Sequence, residues 1–193
     1  MEHWLEKILF DTEAIDRRLD ALAQQINRDY SPRLKPPAPG EALPTDEQTL
    51  MLVPLLNGAI LFVSDLMRRL DIPLRIKPVR VQSYPGKSTT SQGAYIGTPL
   101  DFDLKNQHVL IIDDIYDTGQ TLGMMVDKLS SMNPASLGVC VLLRKDVPRK
   151  IEVPIDYCGF DIPDEFVVGY GLDFDGQFRQ LPYIATLKPE AYT

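Results

Sequence analysis

Cysteine and histidine are scarce in this chain: two of each in 193 residues. Cys140 and Cys158 sit in apolar stretches (GVCVLL and DYCGF), which reads as buried, reduced thiols and argues against a disulfide framework. His3 and His108 stand at no metal-ligand spacing, and His108, just before an apolar run, reads as structural. No apolar run approaches the roughly 18 residues of a membrane-crossing helix. The opening MEHWLEKILF has no cleavable signal pattern, so a cytoplasmic location is expected. Basic residues are also in deficit: 20 Lys and Arg against 27 Asp and Glu give a net charge of −7. That argues against the broad basic face nucleic-acid binding needs, but not against a small anionic ligand, because a local field can oppose the global one. No repeat or low-complexity tract occurs. The length fits a single domain over 1–193.

What the chain does have is concentrated at 109–122, VLIIDDIYDTGQTL. Four apolar residues lead into Asp113 and Asp114, then Asp117, then Thr118-Gly119-Gln120-Thr121. The apolar run predicts a strand buried on both faces, as in parallel sheets. The acids then fall at its carboxyl end, where open α/β sheets bind ligands. The Thr-Gly-Gln-Thr turn opens a helix with Leu122, Met125, Val126 and Leu129 on its apolar face. Unpaired backbone N–H groups at such a start favour an anion, and the Thr118 and Thr121 hydroxyls add donors. Three carboxylates this close raise one another's pKa unless a divalent cation or sugar hydroxyls compensate. Phosphate, hydroxyls and metal together point to a sugar phosphate. Two other readings compete. One is an acidic surface turn after a core strand. The other is the DDxxD pattern that binds magnesium diphosphate in prenyl transferases, which belongs in a long helix and fits poorly beside β-branched residues and a nearby glycine.

Along the rest of the chain, strand and helix alternate, which predicts an α/β class with a mostly parallel sheet. A helix is expected over 11–29, capped by Asp11, with Ile15, Leu19, Leu22 and Ile26 inward. The Pro-rich stretch 31–48 reads as a long surface loop. A strand follows at 50–56, with Pro54 expected near its end or on an unpaired edge. A helix over 59–70 turns Ile60, Val63, Leu66, Met67 and Leu70 inward. Strands are predicted at 74–82, 137–143, 155–158 and 166–173, and a helix at 118–131. Residues 83–93 (SYPGKSTTSQG) read as a flexible segment, with 94–97 pairing back as a strand.

These segments resemble a known family. The acidic stretch resembles the phosphoribosyl pyrophosphate binding motif of type I phosphoribosyltransferases. LNGAILFVSDL (56–66), RVQSYPGKSTTSQG (80–93), Lys145 after GVCVLLR, and GFDIPDEFVVGYGLDFDGQFRQLPYI (159–184) narrow the resemblance to the hypoxanthine-guanine phosphoribosyltransferases. It implies a sheet flanked by helices, a hairpin lid and a small hood. The activity it implies is transfer of ribose 5-phosphate from phosphoribosyl pyrophosphate to hypoxanthine or guanine, giving inosine or guanosine monophosphate and pyrophosphate, in a magnesium-dependent homodimer or homotetramer. Asp117 would be the catalytic base at the purine five-membered ring. Asp113 and Asp114 would hold the ribose hydroxyls, and the turn Asp117, Thr118, Gly119, Gln120 and Thr121 the 5′-phosphate. Lys145, Phe166, Val167 and Asp173 would form the purine site. Asp113, Asp114 and Asp173 would lie near Mg2+. Asn57, Gly58 and Arg179 would meet pyrophosphate, and Ser83 and Tyr84 would belong to the mobile lid over 83–93.

The chain departs from the family where Leu56-Asn57-Gly58 replaces the usual Leu-Lys-Gly, leaving backbone donors but no cationic side chain; Arg179, Lys87 or Arg80 could supply charge instead. A cis peptide is expected at Leu56–Asn57, as in relatives. Pro85 stands where glycine is common and would stiffen the lid. Two other functions stay open at this point: a nucleotide-sensing RNA-binding regulator on the same fold, and a phosphoribosyltransferase preferring xanthine or a non-purine base.

Overall fold

The protein is described here by a computed structural model covering residues 2–35, 37–38, 40, 42–83, 94–97 and 100–191. Ten strands and three α-helices occur among them. The strands are β1 (Leu5–Phe10), β2 (Leu50–Leu56), β3 (Leu74–Ile76), β4 (Val79–Ser83), β5 (Ala94–Ile96), β6 (His108–Tyr116), β7 (Ser136–Lys145), β8 (Tyr157–Ile162), β9 (Val167–Val168) and β10 (Ile184–Leu187). The helices are α1 (Thr12–Leu34), α2 (Ile60–Met67) and α3 (Gln120–Ser130).

Seven strands form the main sheet in the order β5-β4-β2-β6-β7-β8, with β3 beside the start of β2. All its pairings are parallel except β4 with β5. Strand alternation divides the core into two layers. Leu50, Leu52, Leu110, Ile112, Cys140 and Leu142 face α1 and α2. Met51, Val53, Val109, Ile111, Val139 and Val141 face α3 through Leu122, Met125 and Leu129. A helix layer on each face is the reason β2, β6 and β7 read as continuous apolar runs.

The chain leaves β2 toward β3 and β4 on one side and later returns to β6, β7 and β8 on the other. The order therefore reverses between β2 and β6. The β2–β6 ladder reaches Pro54 and Ile112, and β2 ends at Leu56. Loops diverge from both strands beyond that point and open a crevice at the carboxyl end of the sheet, the usual ligand position in such folds. A second sheet, β1-β10-β9, is antiparallel and roofs this region.

Several boundaries differ from the sequence expectation. Asp11 does cap α1, accepting a 2.8 Å hydrogen bond from Ala14 N. The helix nevertheless runs to Leu34 through Pro32, shortening the expected 31–48 loop. Ile26, Tyr30 and Leu34 continue its buried stripe at four-residue spacing, so packing outweighs the lost helical hydrogen bond. Pro54 lies inside a central strand. β3 accompanies β2 as far as Leu52 and β4 joins from Leu55, so Pro54 falls in the gap between two ladders, where a missing donor costs least. The strand expected at 74–82 is split into β3 and β4 on either side of Lys77-Pro78. In α2, Ile60 is exposed and Phe62 takes the buried position beside Val63 and Leu66. The strand expected at 155–158 forms at Tyr157–Ile162. Over 166–173 only Val167–Val168 is strand, because Gly169, Tyr170 and Gly171 take positive φ and turn the chain. β1 and β10 pair with each other from the two ends of the chain. β5 pairs back on β4 as expected.

Leu22 is fully buried where α1 meets the sheet. Leu22→Ala should destabilise the fold by about 2–5 kcal/mol, from lost burial plus a residual cavity, read as a shift in the urea midpoint at unchanged slope.

Candidate active site

Asp113 and Asp114 lie within β6, which continues to Tyr116, and not beyond its end. Asp113 is only 6% exposed. Asp114 N donates to Asp113 Oδ1 at 3.1 Å. Burial pushes the Asp113 carboxyl well above its usual range, and the neighbouring Asp114 charge adds to the shift. Burial also raises Asp114, with hydrogen bonds and the Arg179 charge acting in the opposite direction. These two groups are held where ionisation needs a positive or hydrogen-donating partner.

The loop after β2 is packed closely on both sides. A Cβ on Gly58 would sit 1.6 Å from Asp114 Oδ2, so the Asp114 carboxylate lies directly on the loop after β2. A Cβ on Gly171 would sit 2.3 Å from Gly58 O, so the turn after β9 presses on that loop from above. The Leu56–Asn57 peptide is cis. Arg179 Nη1 donates to Gly171 O at 2.6 Å, and Arg179 Nη2 pairs with Asp173 Oδ1 at 2.7 Å. Gly176 N donates to Asp173 Oδ2 at 2.7 Å.

Beyond β6, Gly119 caps α3 with φ +81. A Cβ there would come 1.9 Å from Ile151 O. Lys150 N and Ile151 N both donate to Thr118 O, at 3.0 and 3.2 Å. Tyr116 holds the same segment, its hydroxyl accepting from Val153 N at 2.9 Å, while the Arg149 guanidinium lies 4.5 Å over the Tyr116 ring. The turn before α3 is thus clamped by the chain that follows β7.

Asp114, Ile115, Asp117, Lys145, Phe166, Val167, Leu172 and Asp173 line one open cavity of about 250 Å³. Lys145, at the end of β7, is largely buried and pairs with Asp164 at 3.0 Å. Phe166 is exposed at the rim, edge-on to Phe174 with centroids 5.5 Å apart. An aromatic face, a cation, a backbone strand edge and three carboxylates therefore converge beside a helix start.

The phosphoribosyl transferase domain family matches residues 6–175. A hypoxanthine-guanine phosphoribosyltransferase of Mycobacterium tuberculosis is 43% identical over 189 residues, covering 97% of this chain and 89% of that protein. A crystal structure of a hypoxanthine phosphoribosyltransferase from Staphylococcus aureus superposes with a TM-score of 0.85 at 39% identity, covering 100% of this chain and 97% of that one. The Trypanosoma cruzi hypoxanthine phosphoribosyltransferase in complex with its product IMP superposes at 0.84 with 34% identity, covering 98% and 97%. The chain belongs to the hypoxanthine-guanine phosphoribosyltransferase family.

Against the family motif, the cavity gathers Asp114, Asp117, Lys145, Phe166, Val167 and Asp173. Asp113 does not line it; strand alternation turns its side chain away from Asp114's. Thr118 and Gly119 form the turn, and Gln120 and Thr121 begin α3. Asn57 is exposed, and Gly58 lies under Asp114. Arg179 engages Asp173 and Gly171 O and does not line the cavity. Ser83 ends β4, whereas Tyr84, Pro85 and Lys87 lie outside the described residues. Sequence reasoning missed Ile115 and Leu172 in the lining, Asp164 as the Lys145 partner, and Lys150, whose Nζ reaches Gln120 Oε1 at 3.2 Å. The position of Leu172 beside Asp173 in the family-like tail was the available signal for one of these; Lys150 had none.

Gly58→Ala forces Asp114 away from the loop. The variant should keep its fold by circular dichroism and lose at least about tenfold in affinity for inosine monophosphate, or about 1.4 kcal/mol, measured by calorimetric titration.

Proposed function

We propose that this chain is a purine salvage enzyme that transfers ribose 5-phosphate from phosphoribosyl pyrophosphate to hypoxanthine and guanine, releasing pyrophosphate. The observation that carries the reading is the single cavity shared by Asp117, Lys145, Phe166 and Val167, opening beside the clamped turn at Gly119. Family membership fixes the reaction class, and the cavity's chemistry supports the roles given to these residues.

The monoester docks at the Thr118–Thr121 turn, where backbone N–H groups at the start of α3 favour an anion. Asp114, with Asp113 behind it, grips the ribose hydroxyls, which supply the hydrogen-bond donors that two buried carboxyls need. The purine stacks on Phe166, and the Val167 backbone reads its edge. Lys145 donates to the 6-oxo group. As the ring nitrogen attacks the sugar carbon, that carbon's bond to pyrophosphate breaks and positive charge spreads over the purine. Asp117 accepts the proton released from the five-membered ring, acting as base and as electrostatic stabiliser. Adenine carries a 6-amino donor facing the Lys145 ammonium and forgoes the hydrogen bond that a 6-oxo group accepts, at a cost of about 1–3 kcal/mol.

The carboxylate oxygens at the crevice are the hard donors Mg2+ takes, and that ion commonly uses one or two carboxylates together with substrate oxygens. Asp173 and Asp114, which line the cavity, would hold the ion together with substrate oxygens, whereas Asp113, turned away from the cavity, would not reach it. When bound, the ion offsets charge on the departing pyrophosphate. Asn57 and Gly58 contribute backbone donors to the same group. A homodimer or homotetramer accords with the family resemblance, and sedimentation velocity measures it. No described helix is long and apolar enough to cross a membrane.

The test supplies phosphoribosyl pyrophosphate and Mg2+ with hypoxanthine, guanine, xanthine, adenine or uracil in turn. Nucleotide formation from hypoxanthine and guanine, with adenine poorer by at least tenfold, is expected; turnover of uracil alone would remove the base-site assignment. Asp117→Asn should lower turnover by about 10²–10⁴ with an unchanged melting temperature. Near-normal turnover would take Asp117 out of the chemistry.

A further inference from the structure

The turn that roofs the crevice is tied to the body of the protein at one point that the proposed chemistry does not use. Tyr170 is 6% exposed and has φ +50. Its hydroxyl donates to Asp65 Oδ2 at 2.6 Å. Asp65 lies in α2, the helix that begins directly after the Asn57-Gly58 loop. Arg69 anchors that helix in turn. It donates to Asp65 O at 2.9 Å and pairs with Asp16 and Asp20 of α1 at 2.7 and 2.9 Å.

The residue after Tyr170 is Gly171, whose Cα rests on Gly58 O and whose own carbonyl accepts from Arg179. Gly171 N donates to Arg179 O at 3.0 Å, and Tyr170 N to Leu181 O at 2.8 Å. Arg179 then holds Asp173. Tyr170 therefore joins two halves of the pyrophosphate end of the site. One half is the loop and helix at 57–67. The other is the 169–181 turn, with Asp173 and Arg179. The base-stacking and 6-oxo contacts of the purine end, at Phe166 and Lys145, are built from β7 and the segment before β9 and do not pass through this bond, although Leu172 and Asp173 of the turn also line that cavity.

We propose that Tyr170 and Asp65 are a positioning pair that sets the spacing between the Asn57-Gly58 loop and the Asp173–Arg179 pair, and so governs binding of the diphosphate group and not of the base. This rests on the function proposed above. With asparagine at position 57, the loop offers backbone donors and no lysine side chain. Backbone donors on one wall and Asp173 with Arg179 on the other can share one diphosphate only at a fixed separation.

Tyr170→Phe removes the hydroxyl and keeps the ring. It should raise KM for phosphoribosyl pyrophosphate about tenfold, the scale of one buried hydrogen bond to a charged acceptor. KM for hypoxanthine should change less than about twofold. Asp65→Asn retains an oxygen that accepts from the Tyr170 hydroxyl and should stay within about twofold of the parent in both constants. Asp65→Ala should reproduce the Tyr170→Phe effect, and it serves in place of Tyr170→Phe if that variant does not fold. An unchanged KM for phosphoribosyl pyrophosphate overturns the proposal. So does a parallel rise in both KM values, which a merely structural role would produce. If the parent protein shows no transfer to any purine, the functional reading fails separately. Calorimetric titration of magnesium pyrophosphate into parent and variant then decides the pair on its own: an about tenfold loss in the variant supports it, and equal affinity overturns it.

Discussion

Two adjacent carboxylates buried in a central strand are the constraint to which the rest of the site answers. A β-strand turns Asp113 and Asp114 to opposite faces of the sheet. Their carboxyls remain one residue apart: burial raises both, the Asp114 charge further opposes ionisation of Asp113, and the hydrogen bond from Asp113 favours that of Asp114. Apolar side chains of similar volume would serve the core better. The sheet carries the acids at the point where β2 ends and strand order reverses, because only there does one face of β6 open to a ligand. The neighbours conform to this. Gly58 has no Cβ because Asp114 occupies its place. Gly171 has none because the loop carbonyl lies there.

Around that pair the protein builds two clamps of different kinds. The turn at Gly119 is held by backbone hydrogen bonds from Lys150 and Ile151 and by the Tyr116 hydroxyl network. It is dense and local, which suits a monoester that stays attached to the sugar throughout. The roof at 169–181 is closed on itself by backbone bonds from Tyr170 and Gly171 to Leu181 and Arg179, and the Tyr170 side chain ties it to α2 through Asp65. That single side-chain tie to the body is easier to loosen than a backbone clamp.

Much of this was legible in the sequence, and the parts that were not share a cause. The buried strand, its acids and the helix opening at Gln120 were readable because apolar runs, carboxylates and a glycine turn are local signals. Asp11 announced the start of α1 in the same way. The end of α1 was hidden because Pro32 argues locally for a stop, while Tyr30 and Leu34 find burial only in the assembled core. The pairing of β1 with β10 joins the chain's two ends, and no local pattern encodes it. Pro54 looked out of place in a strand until the gap between β3 and β4 supplied the reason. Within the site, the residues that touch substrate by resemblance could be named from motif alone. The residues that hold them, Asp164, Lys150, Ile151 and Tyr170, could not, since each acts through a contact distant in sequence or specific to this packing.

A net charge of −7 opposes, at long range, a substrate carrying a phosphate and a diphosphate. Charges separated by more than about 8 Å are largely screened at physiological ionic strength, so what matters is the local set. Lys145 ends β7 at the cavity, Lys150 reaches the first residue of α3, and Arg179 stands beside Asp173. Each is paired with a protein oxygen: Asp164, Gln120, and Asp173 with Gly171 O. These pairings keep the cations oriented, and phosphate or diphosphate oxygens can share or replace the existing acceptors without unfolding anything. The acidic exterior and the anion-binding interior are therefore compatible. Three cations near β6 and β7 thus set the local field that a phosphate-bearing ligand meets.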